Sequence, residues 1–362
     1  MRGTALLYSS HNRGDVIHND YIVQRALRGR HNRRILFLPM SETVENGNEL
    51  SRQEFSYGGF EWYFRFYDRF GLEYLPFYWR STLRKEDVDR LWHYLDTSEV
   101  VILGGGHSRT GLARYKDLGR RFDGEWGKFG RLLHERQARG LLTVGFSAGA
   151  DQLAEHAFSH ALGAGGDTKG FGLARNVVVT LHHDPGRNGD LREGARRLPH
   201  CMAFGLPNDA GIYVDQGVLP SGNHWQVIEF VIDPTWSEPR DFWHVRTRSG
   251  ALVEHFYADG RHWAFGGGDR LVRVQSPDNR FHAAWIHSHG HMKNYHSQRY
   301  DGFNSIEHVL ASHLGARPRA VGTGPGARPG PGRRRSPAEQ GPRAAALTRG
   351  AGRSPWPPRA RP

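Results

Sequence analysis

Ser147 is the residue of this sequence whose surroundings most clearly indicate chemistry. It stands between two glycines in "LLTVGFSAGADQL" (141–153), where an apolar segment gives way to a helical one. On a sharp turn from strand to helix, a serine hydroxyl is exposed above the sheet edge, and the strained backbone leaves room only for small neighbours. Gly145, Ala148 and Gly149 meet that requirement. A glycine-flanked turn with a capping serine is the alternative, but the strand before it and the helix after it favour a nucleophile.

Two segments offer backbone N–H groups to a negatively charged oxygen. The N–H of Ala148 begins the helix after Ser147, where the helix dipole favours negative charge. The segment "GGGHSRTG" (104–111) follows another apolar segment and lacks the Lys-Ser/Thr of a phosphate-binding Walker loop. We therefore expect its turn to present the N–H of Gly105 or Gly106 as the second donor of an oxyanion hole. An ordinary tight turn is the alternative.

A pair of histidines closes the apolar segment "NVVVTLHHD" (176–184). If this strand ends beside the strand of Ser147, an imidazole can take the hydroxyl proton and later give it to a leaving amine. Alternation along a strand sends His182 and His183 to opposite faces, so only one of them can serve. We expect His182 to be the general base, with His183 as the alternative.

The first 160 residues alternate short apolar segments with longer amphipathic ones, a pattern typical of a parallel sheet covered by helices. The predicted strands are 4–9, 34–40, 72–78, 99–105 and 141–146. The predicted helices are 19–29, 53–71, 84–97 and 125–140. The fold class is therefore α/β, with a doubly wound, mostly parallel sheet.

From about residue 174 the pattern changes to strands separated by turn residues, which predicts β-rich additions that complete the sheet. One domain is expected over 1–314, with its core motifs in 1–230 and the β-rich additions in 231–314. The last predicted helix is "NSIEHVLASHL" (304–314).

The order of these motifs resembles the dipeptidase E and cyanophycinase family of serine peptidases. A triple-glycine turn ends one strand and "GFSAGA" ends the next. The segment 170–198 is similar to the family segment in which Gly-Leu-Gly leads into a strand ending in His-Phe. The segment "AFGLPNDAGIYVDQG" (203–217) is similar to the family's Gly-Ile-Asp-Glu segment. The resemblance covers about 1–230 and implies the fold of class I glutamine amidotransferases, also described as flavodoxin-like.

The resemblance also implies catalytic roles. Ser147 falls on the family's nucleophile and His182 on its general base. The acidic residue of the family falls on Pro207 or Asn208, and Asp209 is the nearest carboxylate. We therefore expect Asp209 to be the third member of a triad. The alternatives are Asn208, Asp184 and Asp167.

Family members capture an acidic residue of the substrate with basic groups, and a guanidinium binds a carboxylate through two hydrogen bonds. The corresponding candidates here are His107, Arg109, Arg187 and Arg192. The glycine loop departs from the family, because His107 and Ser108 stand where Asn or Asp and then Gln or Thr are usual. The implied substrate is a small aspartyl or β-aspartyl peptide, without cyanophycin itself being implied.

The strongly basic composition is concentrated in one segment. The whole chain carries a net charge of +12, but residues 315–362 hold eleven arginines and a single acid, so that residues 1–314 carry only +2. Ten of the nineteen prolines also lie in 315–362. Such a segment cannot bury enough apolar surface to fold, so we expect a disordered tail. The nearly neutral remainder does not predict a specific nucleic-acid partner.

No metal or cofactor is expected. Cys201 is the single cysteine, which excludes a disulfide and argues against a thiolate metal site. His287, His289 and His291 alternate within the histidine-rich segment 282–296, so on one strand they would face one way. Because that segment contains neither a carboxylate nor a cysteine, a surface or pocket-lining role is favoured.

Together these features predict a serine-type peptidase that forms an acyl-enzyme and needs no cofactor. The alternatives are an inactive binding or sensor protein on the same scaffold, or an esterase or amidase. We expect a cytoplasmic protein, because there is neither a signal peptide nor an apolar run of about 20 residues. The expected partner is a small peptide with an acidic residue, without a membrane or a specific nucleic acid, and a homodimer is an option that the sequence leaves open.

Overall fold

A computed structural model describes residues 4–10, 16–29, 32–42, 63–158, 169–233 and 251–314. Asp167, the start of the predicted helix 53–71 and the basic tail 315–362 lie outside these residues. Within them, no helix is both long enough and apolar enough to cross a membrane.

Fourteen strands and seven α-helices lie wholly within the described residues. The strands are β1 (Ala5–Tyr8), β2 (Arg34–Leu38), β3 (Glu73–Pro76), β4 (Val100–Leu103), β5 (Leu142–Phe146), β6 (Val177–Leu181), β7 (Met202–Leu206), β8 (Ala210–Val218), β9 (His224–Ile232), β10 (Val253–Phe256), β11 (His262–Phe265), β12 (Arg270–Gln275), β13 (His282–Ser288) and β14 (His291–Asn294). The helices are α1 (Gln24–Leu27), α2 (Lys85–Thr97), α3 (Ser108–Asp123), α4 (Lys128–Ala138), α5 (Ala148–Leu153), α6 (Asn188–Arg197) and α7 (Ile306–Ser312).

Ten strands form one mixed sheet in the order β14-β13-β12-β9-β8-β1-β5-β4-β2-β3. The five strands from β1 to β3 in this order are parallel, and they are the five strands that the apolar segments predict. Strands β1 and β4 are buried along their whole length, as expected where both faces of a parallel sheet are covered. The other five strands pair antiparallel with their neighbours, so the main sheet is mixed and its parallel part is confined to the five-strand core.

A second sheet has four strands in the order β11-β10-β7-β6. Strands β6 and β7 are parallel, and the other two pairs are antiparallel. The sequence predicts that the strand before His182 continues the main sheet. It does not, because the antiparallel strand β8 occupies the edge of β1 where a further parallel strand would pair.

The predicted helices 84–97 and 125–140 correspond to α2 and α4. The predicted helix 19–29 is instead a π-helical segment, Val16–Val23, followed by the short α1. The glycine loop is also shorter than predicted, because α3 begins at Ser108. Gly111 therefore belongs to a helix, and its lack of a side chain allows close packing: a Cβ there would lie 2.2 Å from Nε2 of Gln152.

The histidine-rich segment forms a hairpin rather than one strand. His287 is on β13, opposite Met292 on β14, while His289 lies in the turn between the strands with φ 49°. The alternation that would have brought three histidines to one face is therefore broken at the turn. His291 is exposed at the start of β14.

His255 on β10 is fully buried. Its Nδ1 is 2.9 Å from the carbonyl oxygen of Ala203, its Nε2 is 2.8 Å from the hydroxyl of Tyr295, and its ring stacks on Phe204. Burial lowers the pKa of this imidazole from 6.5 to about 3, because the charged form would lose its hydration. The folded protein therefore keeps His255 neutral in mildly acidic solution.

This burial predicts a contribution to acid sensitivity. Above pH 6.5 the imidazole is neutral in both states, but below it the unfolded chain binds a proton that the folded protein does not. Below pH 6.5, this residue should therefore lower the free energy of unfolding by about 1.4 kcal/mol for each unit by which the pH falls. We expect the stability difference between wild type and His255→Gln to narrow by about 2 kcal/mol between pH 7.5 and pH 5.0. Urea unfolding at the two pH values measures this stability difference, and His291→Gln, which changes an exposed histidine, is the control. A difference between wild type and His255→Gln that does not change with pH would contradict the prediction.

Candidate active site

Ser147 occupies a strained turn between β5 and α5, with φ 48° and ψ −121°. Its flanking glycines are required by the surrounding backbone. A Cβ on Gly145 would lie 2.3 Å from the carbonyl oxygen of Gly149, and one on Gly149 would lie 2.1 Å from that of Leu103. A backbone of this kind costs about 1–3 kcal/mol and persists where the surrounding structure enforces it. The turn therefore has the geometry that the sequence predicts for a nucleophile.

The imidazole of His182 lies beside this serine. Its Nε2 is 3.4 Å from the Oγ of Ser147, and its Nδ1 is 2.6 Å from the Oδ1 of Asn208. An amide oxygen can only accept a hydrogen bond, so Nδ1 carries the proton in this arrangement. The lone pair of Nε2 then faces the serine hydroxyl, as a general base requires. His182 follows β6 and Asn208 follows β7, so the second sheet supplies both side chains.

The carboxylate of Asp209 lies deeper than Asn208. Asp209 is fully buried, and its Oδ1 accepts a hydrogen bond from the Oγ of Ser10 at 3.1 Å. Burial, and then the nearby Asp209 carboxylate, raises the pKa of the Tyr8 hydroxyl well above its ordinary value. The atom that contacts Nδ1 of His182 is thus the Asn208 amide oxygen, the alternative that the sequence leaves open. Asp184, another alternative, caps a 3-10 turn by accepting the N–H of Gly186 at 2.8 Å.

One strand end holds the three segments of this site. We call Tyr8–Ser10 the β1 terminus. The carbonyl oxygen of Tyr8 accepts the N–H of Ser147 at 3.0 Å. The hydroxyl of Ser9 accepts the N–H of His182 at 2.7 Å, and the hydroxyl of Ser10 accepts the N–H of Asp209 at 3.1 Å. Each of the three residues so held has a positive φ: 48°, 51° and 56°. The β1 terminus therefore supports three backbone positions that L-residues adopt only at a cost.

Sequence reasoning did not identify the β1 terminus. Its signal was present, because two adjacent serines follow a buried apolar strand at the edge where parallel sheets place their ligands. The clue is weak by itself, since serine is also common in ordinary turns. Only their contacts in the folded chain show that these serines reach the segments of His182 and Asp209.

The glycine loop approaches the serine from β4. A Cβ on Gly105 would lie 3.4 Å from the Cβ of Ser147 and 2.8 Å from the ring of Phe146. Ser41 holds the loop by accepting the N–H of His107 at 2.6 Å. Gly106 has φ 116°, a conformation that L side chains rarely adopt. Gly105 therefore lies close to Ser147.

The predicted donors also have free hydrogen-bonding capacity. Within the described ranges, the N–H groups of Gly105, Gly106 and Ala148 have no hydrogen-bond acceptor. Ala148 is the first residue of α5, where the N–H groups of a helix lack intrahelical partners. Their role in binding an oxyanion remains a prediction.

His183 points away from the serine. Its Nδ1 is 2.9 Å from the hydroxyl of Thr180, and its Nε2 is 2.9 Å from the Oδ1 of Asn188. The ring packs against Gly205, where a Cβ would lie 2.4 Å from it. Burial lowers the pKa of His183. The two adjacent histidines therefore face opposite sides, and His183 connects β6 to α6.

The four candidate substrate-binding residues have different surroundings. His107 and Arg109 are exposed around the start of α3, close in sequence to Gly105. Arg187 is exposed, and its Nη1 is 3.4 Å from the carbonyl oxygen of His182. The guanidinium of Arg192 lies 5.1 Å from the centre of the Phe256 ring on β10. Arg187 therefore lies beside His182 and Arg192 packs on the second sheet, whereas Arg109 is placed only by its position just after the glycine loop.

Comparison with solved structures finds a likeness to a peptidase from an acI-B1 actinobacterium. The two chains are 15% identical, and the match covers 74% of this chain and 96% of that chain with a TM-score of 0.47. No protein-family model matches the sequence. No curated protein matches it either.

The geometry predicts that Asn208 controls the reactivity of Ser147 through the orientation of His182. We expect Asn208→Ala to slow the reaction of Ser147 with a fluorophosphonate about 10- to 100-fold, because the imidazole loses the acceptor that fixes its tautomer. Asn208→Asp keeps an acceptor oxygen and should retain most of the rate. The rates can be followed by intact-mass spectrometry, with Asn294→Ala on the distant β14 as the control. Equal rates in wild type and Asn208→Ala would contradict the assignment.

Proposed function

We propose that this protein is a serine hydrolase, and specifically a peptidase that cleaves small peptides through an acyl-enzyme on Ser147. The observation that carries the proposal is the chain of contacts from Ser147 Oγ to His182 Nε2, and from His182 Nδ1 to the amide oxygen of Asn208. The strained backbone at the serine and the glycine loop beside it support the same reading. We also propose the amidotransferase-like fold of the family that the sequence resembles.

In this mechanism the Ser147 oxygen attacks the carbonyl carbon of the scissile bond while its proton moves to Nε2 of His182. The negative charge that develops on the carbonyl oxygen is stabilised by the N–H groups of Ala148 and of Gly105 or Gly106. The tetrahedral species then collapses to an ester on Ser147, and the leaving amine takes the proton from His182. In the second half, a water molecule gives a proton to His182 and attacks the ester, and His182 then returns the proton to the Ser147 oxygen as the acid product leaves.

An asparagine at the place of the triad acid changes how the imidazole of His182 is stabilised. A neutral amide orients the imidazole through one hydrogen bond, but it does not stabilise the imidazolium as a carboxylate does. Asn occupies this role in some cysteine peptidases. The buried Asp209 carboxylate lies one residue away and contributes negative charge to the same region, as its influence on the pKa of Tyr8 indicates.

For the substrate we propose a peptide with an acidic residue. Arg109 is exposed at the start of α3 and, among the described residues, has no acidic or hydrogen-bonding partner of its own. Arg187 is fixed near the His182 end of the site by contacts with the carbonyl oxygens of Leu181 and His182. A guanidinium with free donors suits a carboxylate, which can accept two parallel hydrogen bonds.

A binding protein without catalysis is the second candidate. The observation in its favour is the uncharged Asn208 at the position where a triad usually has an acid. Such a protein would bind acidic peptides at the same arginines without turnover.

A panel of dipeptides tests the function. We expect hydrolysis of aspartyl or β-aspartyl dipeptides, with and without arginine, to exceed that of the matched asparaginyl dipeptides. Ser147→Ala should lose the activity, by about 10⁴-fold or more, because the nucleophile is removed. Amine release measured by mass spectrometry gives the rates, and a p-nitrophenyl ester tests for an esterase.

The same assay tests the acidic preference. Arg109→Ala should raise KM for the aspartyl substrates and leave KM for the asparaginyl ones unchanged, whereas Arg192→Ala should change neither. Binding of the dipeptides without hydrolysis would favour the second candidate. Hydrolysis that persists in Ser147→Ala would rule out the proposed mechanism.

A further inference from the structure

A group of metal-ligating side chains lies apart from the serine. One ring nitrogen each of His156 and His200 and the sulfur of Cys201 all lie within 4.8 Å of one another. His156 comes three residues after α5, and the other two residues lead directly into β7. Two segments that are distant in the sequence therefore bring imidazole and thiol groups to one place.

The arrangement of the rings is suitable for a shared ion. The ring centres of His156 and His200 are 5.5 Å apart, and their planes cross at 72°, so the nitrogen-bearing edge of one ring can approach an ion beside the other. Ligand atoms around a tetrahedral zinc ion are separated by about 3.3–3.6 Å, so the three groups need to close by about 1 Å. A small rotation of the His200 side chain, which is partly exposed, can supply much of this movement.

The backbone on both sides of the group is anchored. His156 forms a bridge with Lys169. The N–H of Cys201 donates to the carbonyl oxygen of Leu198 at 2.8 Å, and that of Met202 donates to Asn176 at 2.9 Å. A site held in this way loses little conformational freedom when an ion binds.

Burial differs among the three ligands in a way that suits one open coordination position. Cys201 is fully buried and packs with the apolar residues Phe158 and Ala203. His200 is partly exposed, whereas His156 is more deeply buried. The sulfur would therefore lie on the inner side of a bound ion, with water able to reach its outer side.

We propose that His156, His200 and Cys201 bind one Zn²⁺ ion, with a water molecule as the fourth ligand. Two imidazoles and a thiolate form a nitrogen and sulfur donor set, which suits Zn²⁺ rather than Mg²⁺ or Ca²⁺. The thiol loses its proton to solvent as the sulfur–zinc bond forms. A single cysteine is sufficient for such a site, because imidazole nitrogens supply the other protein ligands.

The site is separate from the candidate active site. Cys201 precedes β7, whereas Asn208 follows it, so the full length of the strand lies between them. The five residues of β7 span about 17 Å at the usual rise. The ion would join the segment after α5, the helix that begins beside Ser147, to the start of the strand that leads to Asn208. We therefore assign it a structural role.

Cobalt binding tests the proposal directly, because a thiolate ligand to Co²⁺ produces a charge-transfer absorption. Protein without an affinity tag is treated with a chelator and titrated with Co²⁺, and the bound Co²⁺ is then displaced with Zn²⁺. We expect one ion per chain, a thiolate band in wild type, and loss of that band in Cys201→Ser. His156→Gln and His200→Gln should each weaken the affinity at least about tenfold.

Two controls make the result specific. His291→Gln, which removes an exposed histidine on β14, should bind like wild type, and so should Ser147→Ala, because the site does not depend on the proposed peptidase activity. If Cys201→Ser fails to fold, as circular dichroism would show, the half-exposed His200→Gln decides the question. Absence of the thiolate band in wild type, or an affinity unchanged in both histidine variants, would overturn the proposal.

Discussion

Three hydrogen bonds at the end of β1 fix the backbone of the three segments that form the candidate active site. The β1 terminus receives the backbone N–H groups of Ser147, His182 and Asp209, each at a residue with positive φ. Strand β1 can reach all three because it lies between the parallel strand β5, which carries the serine turn, and the antiparallel strand β8, which follows Asp209. The central position of β1 is thus what joins the main sheet to the ends of β6 and β7.

The side chains of the candidate active site come from two different sheets, and this origin has a chemical consequence. Ser147 follows a strand of the main sheet, whereas His182 and Asn208 follow strands of the second sheet. The distance between Ser147 and His182 therefore depends on how the sheets are held together, and Ser9 acts directly across this junction through its contact with His182. A change in the packing of the sheets would alter the serine–imidazole contact without altering either side chain.

The sequence predicted the parts of the site that depend on local rules. The glycines around Ser147 are needed to avoid backbone contacts at 2.1–2.3 Å, and this need is visible as a short motif after an apolar strand. The five parallel strands were predicted for a similar reason, since burial on both faces makes them continuously apolar. Strand alternation is also local, and it indicates that only one of His182 and His183 can face the serine.

Other features depend on contacts between distant segments and could not be predicted. The second sheet arises because β8 takes the edge beside β1, which no pattern in the β6 segment reveals. Asn208 contacts His182, whereas the carboxylate of Asp209 turns inward to Ser10. The spacing of sequence motifs cannot distinguish between two adjacent residues. Gly111 was read as part of a loop, although its small size serves helix packing against Gln152.

The central claim is that Ser147 is an activated nucleophile. Peptide mapping by mass spectrometry after treatment with a fluorophosphonate tests it most directly. The account predicts a single adduct on Ser147 in wild type, a much slower reaction in His182→Ala and no adduct in Ser147→Ala. An unlabelled wild-type protein, or equal labelling of wild type and Ser147→Ala, would contradict it.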